Sequence, residues 1–580
     1  MASVMAIAAA LLFPAAARAQ VTPTREEVER PQPAPPAAPS RVEVEGGIER
    51  APCALDNPEF ANIRFTLRNV VFDGLRGLSA QDLAPAYASL VGQDQPVAVL
   101  CEVRDRAATI LRNAGYIASV EVPEQRIAEG TVRFKVLMAK LVQVRVRGDA
   151  GKAERTIAGY IERLRGQEVF NRYDAERYLL LASDMPGYHV RLTLRPAGTV
   201  PGEVIGDVTV LRTAAWVDAN IQNYGSKSLG RWGRLMRAEP FGLTGVGDRT
   251  TGTFLTTSDL EEQQTVQLGH DFRVGTEGLA ISGNFTYAWA RPDIPGEDSD
   301  ILARTLFATA EVSYPFIRRE SHTVRGALGM DYVNQDVDID HADLTSDKLR
   351  VAFARLNADA LSLDFTRRGF SMAEPVWRAS ATLEFRRGLD LFGASKGCGA
   401  GVDDCFGPGE SPPSRAEADG TATVIRTSVY GEYRPVPKLT LALGLRGQYA
   451  SEPLLSFEEF SAGNYTVGRG YDPGSLLGDR GFGLQAEVRM GSLVPVSRRR
   501  AAAEPYLFFD YSRVRNEDRL FVGESRRDLS SAGAGVRASW DRFRLDALLA
   551  VPFQRVGLLD EKPNPRLLIS LTTRLWPWSY

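Results

Sequence analysis

Hydrophobic and polar residues alternate along the chain from residue 213 onward, where no helical periodicity is found. The alternation is clearest in four segments, 279–289, 427–433, 439–446 and 567–576. A period of two puts apolar side chains on one face of a strand and polar side chains on the other. Loops rich in Gly, Asp and Pro separate the segments. The pattern is typical of transmembrane β-strands, which face lipid on one side and a lumen on the other.

The length of this region predicts the size of the barrel. A transmembrane strand needs roughly 9–11 residues, so the roughly 370 residues of 213–580 predict about 16 antiparallel strands, at about 23 residues per strand and loop. A soluble all-β protein would need several domains and denser apolar positions on one face. Aromatic residues stand at segment ends, as interfacial girdles require, at Trp289, Tyr314, Trp540, Trp576, Trp578 and Tyr580.

Two α+β units are predicted before the barrel, over residues 63–141 and 142–212. In each unit the pattern indicates a strand, two helices and two further strands. Gly115 and Gly187, each followed by tyrosine, occupy the same place in the two units. The resulting period of about 72 residues is typical of repeated modules. Two unrelated α+β modules are the alternative.

Local signals predict the elements within these units. Alternation over 63–72 predicts a single strand in the first unit. Ser79 stands where an N-cap is expected, ahead of a helix whose apolar face extends to Leu90. In the second unit, helices are predicted over 153–164 and 173–182.

The N-terminal segment predicts export. Residues 4–17 form an apolar run that is too short to span a bilayer, and a small-x-small cleavage pattern follows. Residues 1–19 are therefore predicted to be a secretory signal peptide. Within the segment 20–62, residues 24–30 are predicted to form one or two helical turns with Thr24 as N-cap, followed by a proline-rich linker.

The charge balance limits the partner classes. The formal net charge is -3 at pH 7, so a nucleic acid partner is not expected.

No stretch of 18 or more apolar residues follows the predicted signal peptide, so no transmembrane helix is predicted. An exported chain of this kind is periplasmic, secreted or an outer-membrane barrel.

The cysteines favour disulfides over metal binding. They form two local sets, Cys53 with Cys101 and Cys398 with Cys405. Export permits disulfide formation, and the second pair would close a small Gly-rich loop. The cysteine spacing does not fit a metal site, and none of the four histidines is near a cysteine. No metal and no other cofactor is predicted.

An arginine between glycines is the main candidate for function. In 465–481, Arg469 precedes Gly470 and Tyr471 in a loop between strand-like runs. A surface loop rich in Gly, Asp and Pro is the alternative. The segment resembles the Arg-Gly-Phe/Tyr loop of the BamA and two-partner secretion superfamily of outer-membrane barrels, which implies that the loop folds into the lumen. Asp479 continues the loop and is either a member of its charge network or a solvated turn residue.

Three further segments resemble the two-partner secretion transporters of the ShlB/FhaC/HecB type. Residues 218–232 resemble their first barrel hairpin, 245–249 the following turn, and 312–319 a Tyr-Pro segment. Two α+β units agree with the two POTRA domains of that family, whereas BamA-type assembly factors carry more. The short N-terminal helix and its linker resemble the pore plug of these transporters.

The resemblance also implies a partner for the loop arginine. In the family this arginine meets an acidic residue on the inner barrel wall, which implies a pair of Arg469 with Asp510, beside Phe508. An unpaired buried charge would be costly, so such a partner is physically necessary. The pair would serve as a gate or as a brace. Two residues depart from the family pattern: Gly468 directly before Arg469, and Ser512 in place of a wall glycine.

The resemblance implies an outer-membrane transporter whose N-terminal domains lie in the periplasm. Its main partner would be an unfolded hemolysin- or adhesin-like exoprotein, whose N-terminal secretion domain adds to strand edges of the POTRA-like units. Outer-membrane lipid, lipopolysaccharide and the machinery that inserts barrels would be further partners. A BamA- or TamA-like insertase and a diffusion porin stay open as alternatives.

No enzymatic activity is expected. Residues 393–397 match Gly-x-Ser-x-Gly, but the strand-to-helix context of a nucleophile elbow is missing. Residues 242–247 have the wrong spacing for a dinucleotide fingerprint. We interpret both as coincidences in a Gly-rich chain.

Overall fold

The computed structural model describes residues 23–29, 42–44, 53, 55, 57–60, 62–127, 129–165, 167–198, 200–258, 260–293, 299–364, 369–398, 405, 411–495, 497, 500–517, 526–556 and 562–577. The predicted signal peptide and most of the predicted linker lie outside these residues. Helix α1 (Arg25–Glu29) and strand β1 (Val42–Val44) are described between them. None of the helices in this part of the chain is long and apolar enough to cross a membrane.

The first α+β unit packs one helix against a sheet of order β3-β6-β5, and β2 pairs with β4 beside it. Its core contains Leu83, Leu111 and Phe134, which are fully buried. Its elements are β2 (Arg64–Thr66), β3 (Asn69–Asp73), β4 (Asp94–Pro96), α2 (Val99–Asn113), β5 (Ala118–Glu121) and β6 (Thr131–Met138).

The single strand predicted over 63–72 is wrong, because two sheets share this segment. Leu67 is fully buried between β2 and β3. Its N–H donates to the carbonyl of Gln93, and the N–H of Arg68 donates to the carbonyl of Gly130. The chain therefore leaves one sheet and enters the other at Leu67.

The helix predicted after Ser79 is also wrong. Two 3-10 turns replace it, at Ala84–Ala86 and Ala88–Leu90. Pro85 provides no N–H donor near the start of this stretch, and Gly92 ends it with a φ of 80°. Too few residues remain between them for a regular helix.

The second unit confirms its predicted helices. Its sheet has the order β1-β8-β9-β7, and two helices cover one face. The short strand β1, which the sequence analysis places in the linker, runs parallel to β8 with Val42 opposite Leu192. The remaining elements are β7 (Lys140–Gly148), α3 (Glu154–Arg165), α4 (Arg172–Ser183), β8 (Tyr188–Pro196) and β9 (Glu203–Arg212).

The described residues between 215 and 576 form a closed barrel of 16 antiparallel strands, as predicted. The first and last strands pair, with Ile221 opposite Leu571. The barrel strands are β10 (Ala215–Gln222), β11 (Gly233–Pro240), β12 (Arg249–Thr257), β13 (Gln263–Val274), β14 (Leu279–Ala290), β15 (Ile301–Arg318), β16 (His322–Ile339), β17 (Ala342–Leu361), β18 (Trp377–Gly388), β19 (Thr423–Val436), β20 (Leu439–Ala450), β23 (Arg480–Met490), β24 (Ala502–Arg515), β25 (Arg526–Trp540), β26 (Phe543–Pro552) and β27 (Arg566–Trp576).

The second unit is attached directly to one end of the barrel, here called the proximal end. Asp184, just after α4, forms a two-bond ion pair with Arg318 at 2.8 Å. Lys152 Nζ donates to the carbonyl of Leu243 in the β11–β12 turn. Consecutive barrel strands are antiparallel, so their connections alternate between the two ends. The β18–β19 and β20–β23 connections therefore lie at the opposite end, here called the distal end.

Candidate functional site in the barrel lumen

The connection between β20 and β23, residues 451–479, folds from the distal end into the lumen, and we call it the Arg469 loop. It contains a short hairpin of β21 (Phe460–Ala462) and β22 (Leu476–Gly478). Tyr471 is fully buried, and its hydroxyl donates to the carbonyl of Ser530 at 2.9 Å. The hydroxyl also accepts from the N–H of Gln554 at 2.9 Å. The loop is thus fixed against the barrel wall.

Arg469 lies at the tip of this loop and contacts the wall strand β24. Its Nη2 and Nε donate to the two carboxylate oxygens of Asp510 at 2.6 and 2.9 Å. The backbone N–H of Arg469 adds a third bond to Asp510 at 2.9 Å. The guanidinium lies 3.8 Å from the ring centroid of Phe508. Bidentate pairing with a carboxylate and stacking on an aromatic ring are both geometries that favour arginine over lysine.

The loop approaches the wall so closely that its glycines are required. A Cβ on Gly470 would meet the Ser531 Cβ at 2.8 Å, and the Gly470 N–H donates to the Ser531 hydroxyl. Gly468, one of the departures from the family pattern, has a φ of 124°. A side chain there would also meet Leu529 at 2.7 Å. Glycine is therefore favoured at both positions.

Ser512, the second departure, fits its position on β24. It is fully buried, and its hydroxyl donates to the carbonyl of Phe482 at 3.1 Å. A buried hydroxyl without a partner would be destabilising. This bond explains why serine is compatible with the wall next to Asp510.

A second carboxylate, which the sequence analysis missed, also contacts the loop arginine. Glu487 on β23 accepts from Arg469 Nη1. It also accepts from Arg489 at 2.6 Å and from Arg537 at 3.0 Å. Glu487 and Arg489 are two positions apart on one strand, so both face the lumen. This spacing of charges on a barrel strand is the signal that could have identified them.

Asp479, at the end of the same loop, pairs with a different arginine. It is fully buried and pairs with Arg415 at 2.6 Å. It also accepts from the N–H groups of Leu454 and Glu517, each at 2.7 Å. The expectation that Asp479 is either in the Arg469 network or a solvated turn residue is corrected: it joins three distal loops.

Arg415 belongs to the β18–β19 connection, residues 389–422, which we call the Cys398 loop. Part of this loop folds into the distal mouth. The N–H and hydroxyl of Ser414 both donate to Asp347 on β17, at 2.7 and 2.6 Å. Arg415 adds a bond to Glu459 of the Arg469 loop at 3.0 Å. Two inward loops are therefore joined at the distal end.

Helix α1 occupies the lumen proximal to these loops. Thr24 and Glu27 form a reciprocal capping pair, since the Thr24 N–H donates to Glu27 Oε2 and the Glu27 N–H to Thr24 Oγ1. This confirms Thr24 as N-cap. Val28 is 1% exposed and belongs to a buried apolar cluster with side chains of the barrel wall, the Cys398 loop and the Arg469 loop, namely Ala288, Phe307, Val333, Leu349, Val351, Ala418, Leu455 and Phe457.

A buried charge cluster joins α1 to the Arg469 loop. Glu458 of the loop pairs with Arg386 and with Arg426, at 2.5 and 2.6 Å. Asp331 pairs with the same Arg386 at 2.8 Å. Arg25 of α1 lies 3.4 Å from Asp331 and 3.9 Å from Glu458. Because Arg25 is farther from Glu458 than the two wall arginines, α1 could leave while Arg386 and Arg426 still compensate Glu458.

Both cysteine sets are disulfides in the structure. Cys53 is bonded to Cys101 of α2 with a Cα–Cα distance of 5.9 Å. Cys398 is bonded to Cys405 with a Cα–Cα distance of 5.1 Å, within the Cys398 loop. The first joins the segment before the first unit to its helix, and the second closes a small loop at the distal end.

Comparison with known proteins identifies the family. The family described as haemolysin secretion/activation protein ShlB/FhaC/HecB matches residues 208–538, more than half of the chain. The ShlB-type POTRA domain matches residues 65–138. The heme/hemopexin transporter protein HuxB of Haemophilus influenzae (strain 86-028NP) is 20% identical over 488 residues, which cover 79% of this chain and 78% of HuxB.

Two solved structures share the fold. CdiB from Escherichia coli has a TM-score of 0.71 at 16% identity, covering 97% of this chain and 95% of CdiB. CdiB from Acinetobacter baumannii has a TM-score of 0.62 at 15% identity, covering 96% and 95%. With its barrel, lumen loop and POTRA units, the chain belongs to the haemolysin secretion/activation family ShlB/FhaC/HecB, outer-membrane transporters of secreted exoproteins with N-terminal POTRA domains in the periplasm.

Proposed function

We propose that this protein captures one unfolded exoprotein in the periplasm and threads it through its own barrel to the cell surface. The observation that carries the proposal is the occupied lumen. Helix α1 and the Arg469 loop lie inside it, and ion pairs hold each of them, among them Arg25 with Asp331 and Arg469 with Asp510. A helix and a loop that can leave the lumen are suited to a pore that opens when the exoprotein arrives. The proposed activity is transport, without an enzymatic step.

Strand edges of the POTRA units are the proposed capture sites. Strand β5 lies at the edge of the first sheet, where an extended N-terminal secretion domain could add by backbone hydrogen bonds. The corresponding edge strand of the second unit, β8, is covered by β1. An exoprotein strand that took the β8 edge would have to displace β1. Capture at β8 would then free the segment that leads to α1.

Export would follow from the release of α1. Once Arg25 has left the charge cluster, the exoprotein could enter as an extended strand or a hairpin. The lumen wall is lined by charges that are already paired, for example Glu432 with Arg378 and Arg489. Such a wall offers a passing chain few uncompensated charges to bind. Folding of the exoprotein outside the cell would supply the drive, since the periplasm offers no ATP.

Culture supernatants provide the first test of this proposal. A deletion strain is complemented with wild type, with Arg469→Ala or with empty vector, and membrane levels are matched. We expect one large secreted protein to be absent without wild type and reduced with the variant. Normal secretion by the variant would rule out a role for Arg469 in export, while the assignment of the protein as an exporter would stand. An unchanged supernatant with depleted outer-membrane barrels would favour an insertase.

A further inference from the structure

One turn of the Cys398 loop lies on the outer face of the barrel. This turn, residues 390–394, is called the hook. Its position follows from Arg350 on β17. The neighbouring residues Leu349 and Val351 point into the lumen cluster, so Arg350 points outward. Arg350 is nevertheless only 1% exposed. The hook and a neighbouring tyrosine cover it from the lipid side.

The hook is held rigidly by Arg350. Arg350 Nη2 donates to the carbonyl of Phe392 at 3.2 Å and to the side chain of Asn334 at 3.0 Å. Its Nη1 donates to two strand carbonyls, and its guanidinium lies 3.5 Å from the ring centroid of Tyr332. Just after the hook, Ser395 and Lys348 exchange two hydrogen bonds at 2.8 Å. Just before the hook, the Leu389 N–H donates to the Arg350 carbonyl at 2.7 Å, so the turn is fixed at both ends.

The hook displays two large apolar side chains. Leu391 is 49% exposed and Phe392 is 74% exposed. Phe392 has a φ of 50°, directly before Gly393 with a φ of 71°. A phenylalanine in the left-handed region is uncommon and strained. Strain that presents an aromatic side chain outward indicates an apolar environment for it.

The surroundings of the hook match the outer leaflet. Directly below it, the outward face of β18 carries Leu383 and Phe385, which are 53% and 49% exposed and belong to the lipid-facing band. Exposed basic side chains lie at the same rim, on Arg387, Lys348 and Lys396. The two lysines share an outer cavity with the carboxylates of Asp336, Asp338 and Asp343, so the rim carries both signs of charge. Lys396 also pairs with Asp390 of the hook at 3.2 Å. An apolar tip beside basic side chains complements the acyl chains and phosphates of an anionic lipid.

We propose that the hook anchors the distal rim in the outer leaflet. Leu391 and Phe392 enter the boundary between headgroups and acyl chains, and the basic side chains contact lipid A phosphates. The same loop continues into the lumen, where Arg415 holds Asp479. The hook thus connects the membrane surface to the loops at the pore mouth.

Tryptophan fluorescence tests the anchor on the full chain in lipid vesicles. Phe392→Trp is compared with Leu328→Trp, whose site is lipid-facing and 67% exposed, and with Val200→Trp, whose site is periplasmic and 55% exposed. Wild type supplies the background from native tryptophans. The acyl chains are brominated, and the vesicles contain either lipid A or phosphatidylglycerol.

The proposal expects F392W to be quenched and blue-shifted nearly as much as L328W. Quenching as weak as that of V200W would overturn it. Quenching of F392W should be stronger in lipid A vesicles than in phosphatidylglycerol vesicles, and Lys348→Gln with Lys396→Gln should remove that difference. Equal quenching in both vesicles would overturn the phosphate contact. The charge variants are measured in the F392W background, so both comparisons use F392W protein whose circular dichroism spectrum and thermal unfolding match those of wild type.

Discussion

At the scale of single residues, ion pairs and a ring contact hold the Arg469 side chain in the lumen. Its guanidinium has two carboxylate partners and one aromatic partner. We expect Arg469→Ala to destabilise the barrel by about 3–5 kcal/mol, because Asp510 would be left buried without its cation. Thermal unfolding in detergent measures the loss.

A double-mutant cycle separates the ion pair from other effects of the alanine. Asp510→Asn in the Arg469→Ala background removes the uncompensated charge, so the double variant should be more stable than the sum of the single losses predicts. Arg469→Lys is the matched control: it keeps the charge but loses the bidentate geometry, and an intermediate loss is expected. Strict additivity would contradict a direct interaction.

Arg415 provides a second prediction at this scale. Arg415→Ala should leave Asp479, which is fully buried, without its cation and loosen the three loops that Asp479 joins. Amide hydrogen exchange at Leu454 and Glu517 should become faster, since both N–H groups donate to Asp479. Arg387→Ala, an exposed arginine with a bond to Thr423, is the control. Unchanged amide exchange in R415A would show that the three loops stay packed together without the Arg415 side chain.

At the scale of elements, α1 depends on a small apolar contact. Val28→Asp would place a charge among the apolar side chains around Val28, at a cost of several kcal/mol unless the helix leaves. We therefore expect larger and more frequent channel openings in planar bilayers. Val28→Ala keeps the site apolar and uncharged, so it should conduct much more like wild type. Wild-type conductance in V28D would mean that α1 does not close the pore.

The β11–β12 turn gives a pH-dependent prediction outside the membrane. Burial alone would raise the pKa of Asp248, but hydrogen bonds from Thr244 and Gly245 outweigh it and lower the pKa below its usual value. The stabilisation is therefore complete above the unfolded pKa of about 3.9 and is lost as pH falls through the folded pKa. This turn accepts a bond from Thr156 of the second POTRA unit at 3.2 Å.

Asp248→Asn should weaken the turn at neutral pH by about 1–3 kcal/mol. The difference in amide exchange of residues 243–245 between wild type and variant should shrink as pH falls below about 3.9. Asp149→Asn, an exposed turn carboxylate with a bond to Gly151, is the control. A difference that is constant with pH would contradict the role of the ionised carboxylate.

Sequence patterns predict the elements of this chain where the signal is local or periodic. Alternation predicts the barrel because one face of each strand contacts lipid and the other faces the lumen. Thr24 is a sufficient local signal for the helix N-cap. The partners of Arg415 and Glu487 were missed because they are brought together by strand register over long sequence separations. The predicted helix after Ser79 does not form, because Pro85 and Gly92 leave too few residues between them for a regular helix.

At the scale of the whole molecule, β1 connects the periplasmic units to the pore. Residues 30–41 separate α1 from β1, and a chain of that length reaches at most roughly 45 Å when fully extended. Events at the β8 edge therefore act on the segment that leads into the lumen. This link rests on the proposed capture of an exoprotein strand at that edge.

A disulfide that locks β1 onto β8 tests the link. Glu43 is opposite Thr193 in the parallel register, so Glu43→Cys with Thr193→Cys should hold β1 in place. We expect secretion to stop in the oxidised double variant and to resume after mild reduction, while exoprotein binding to the first unit persists. Arg191→Cys with Thr209→Cys joins two strands that stay paired in any case, and it should secrete normally under both conditions. Normal secretion with β1 locked would show that the exoprotein never needs the β8 edge, and capture would then be assigned to β5 alone.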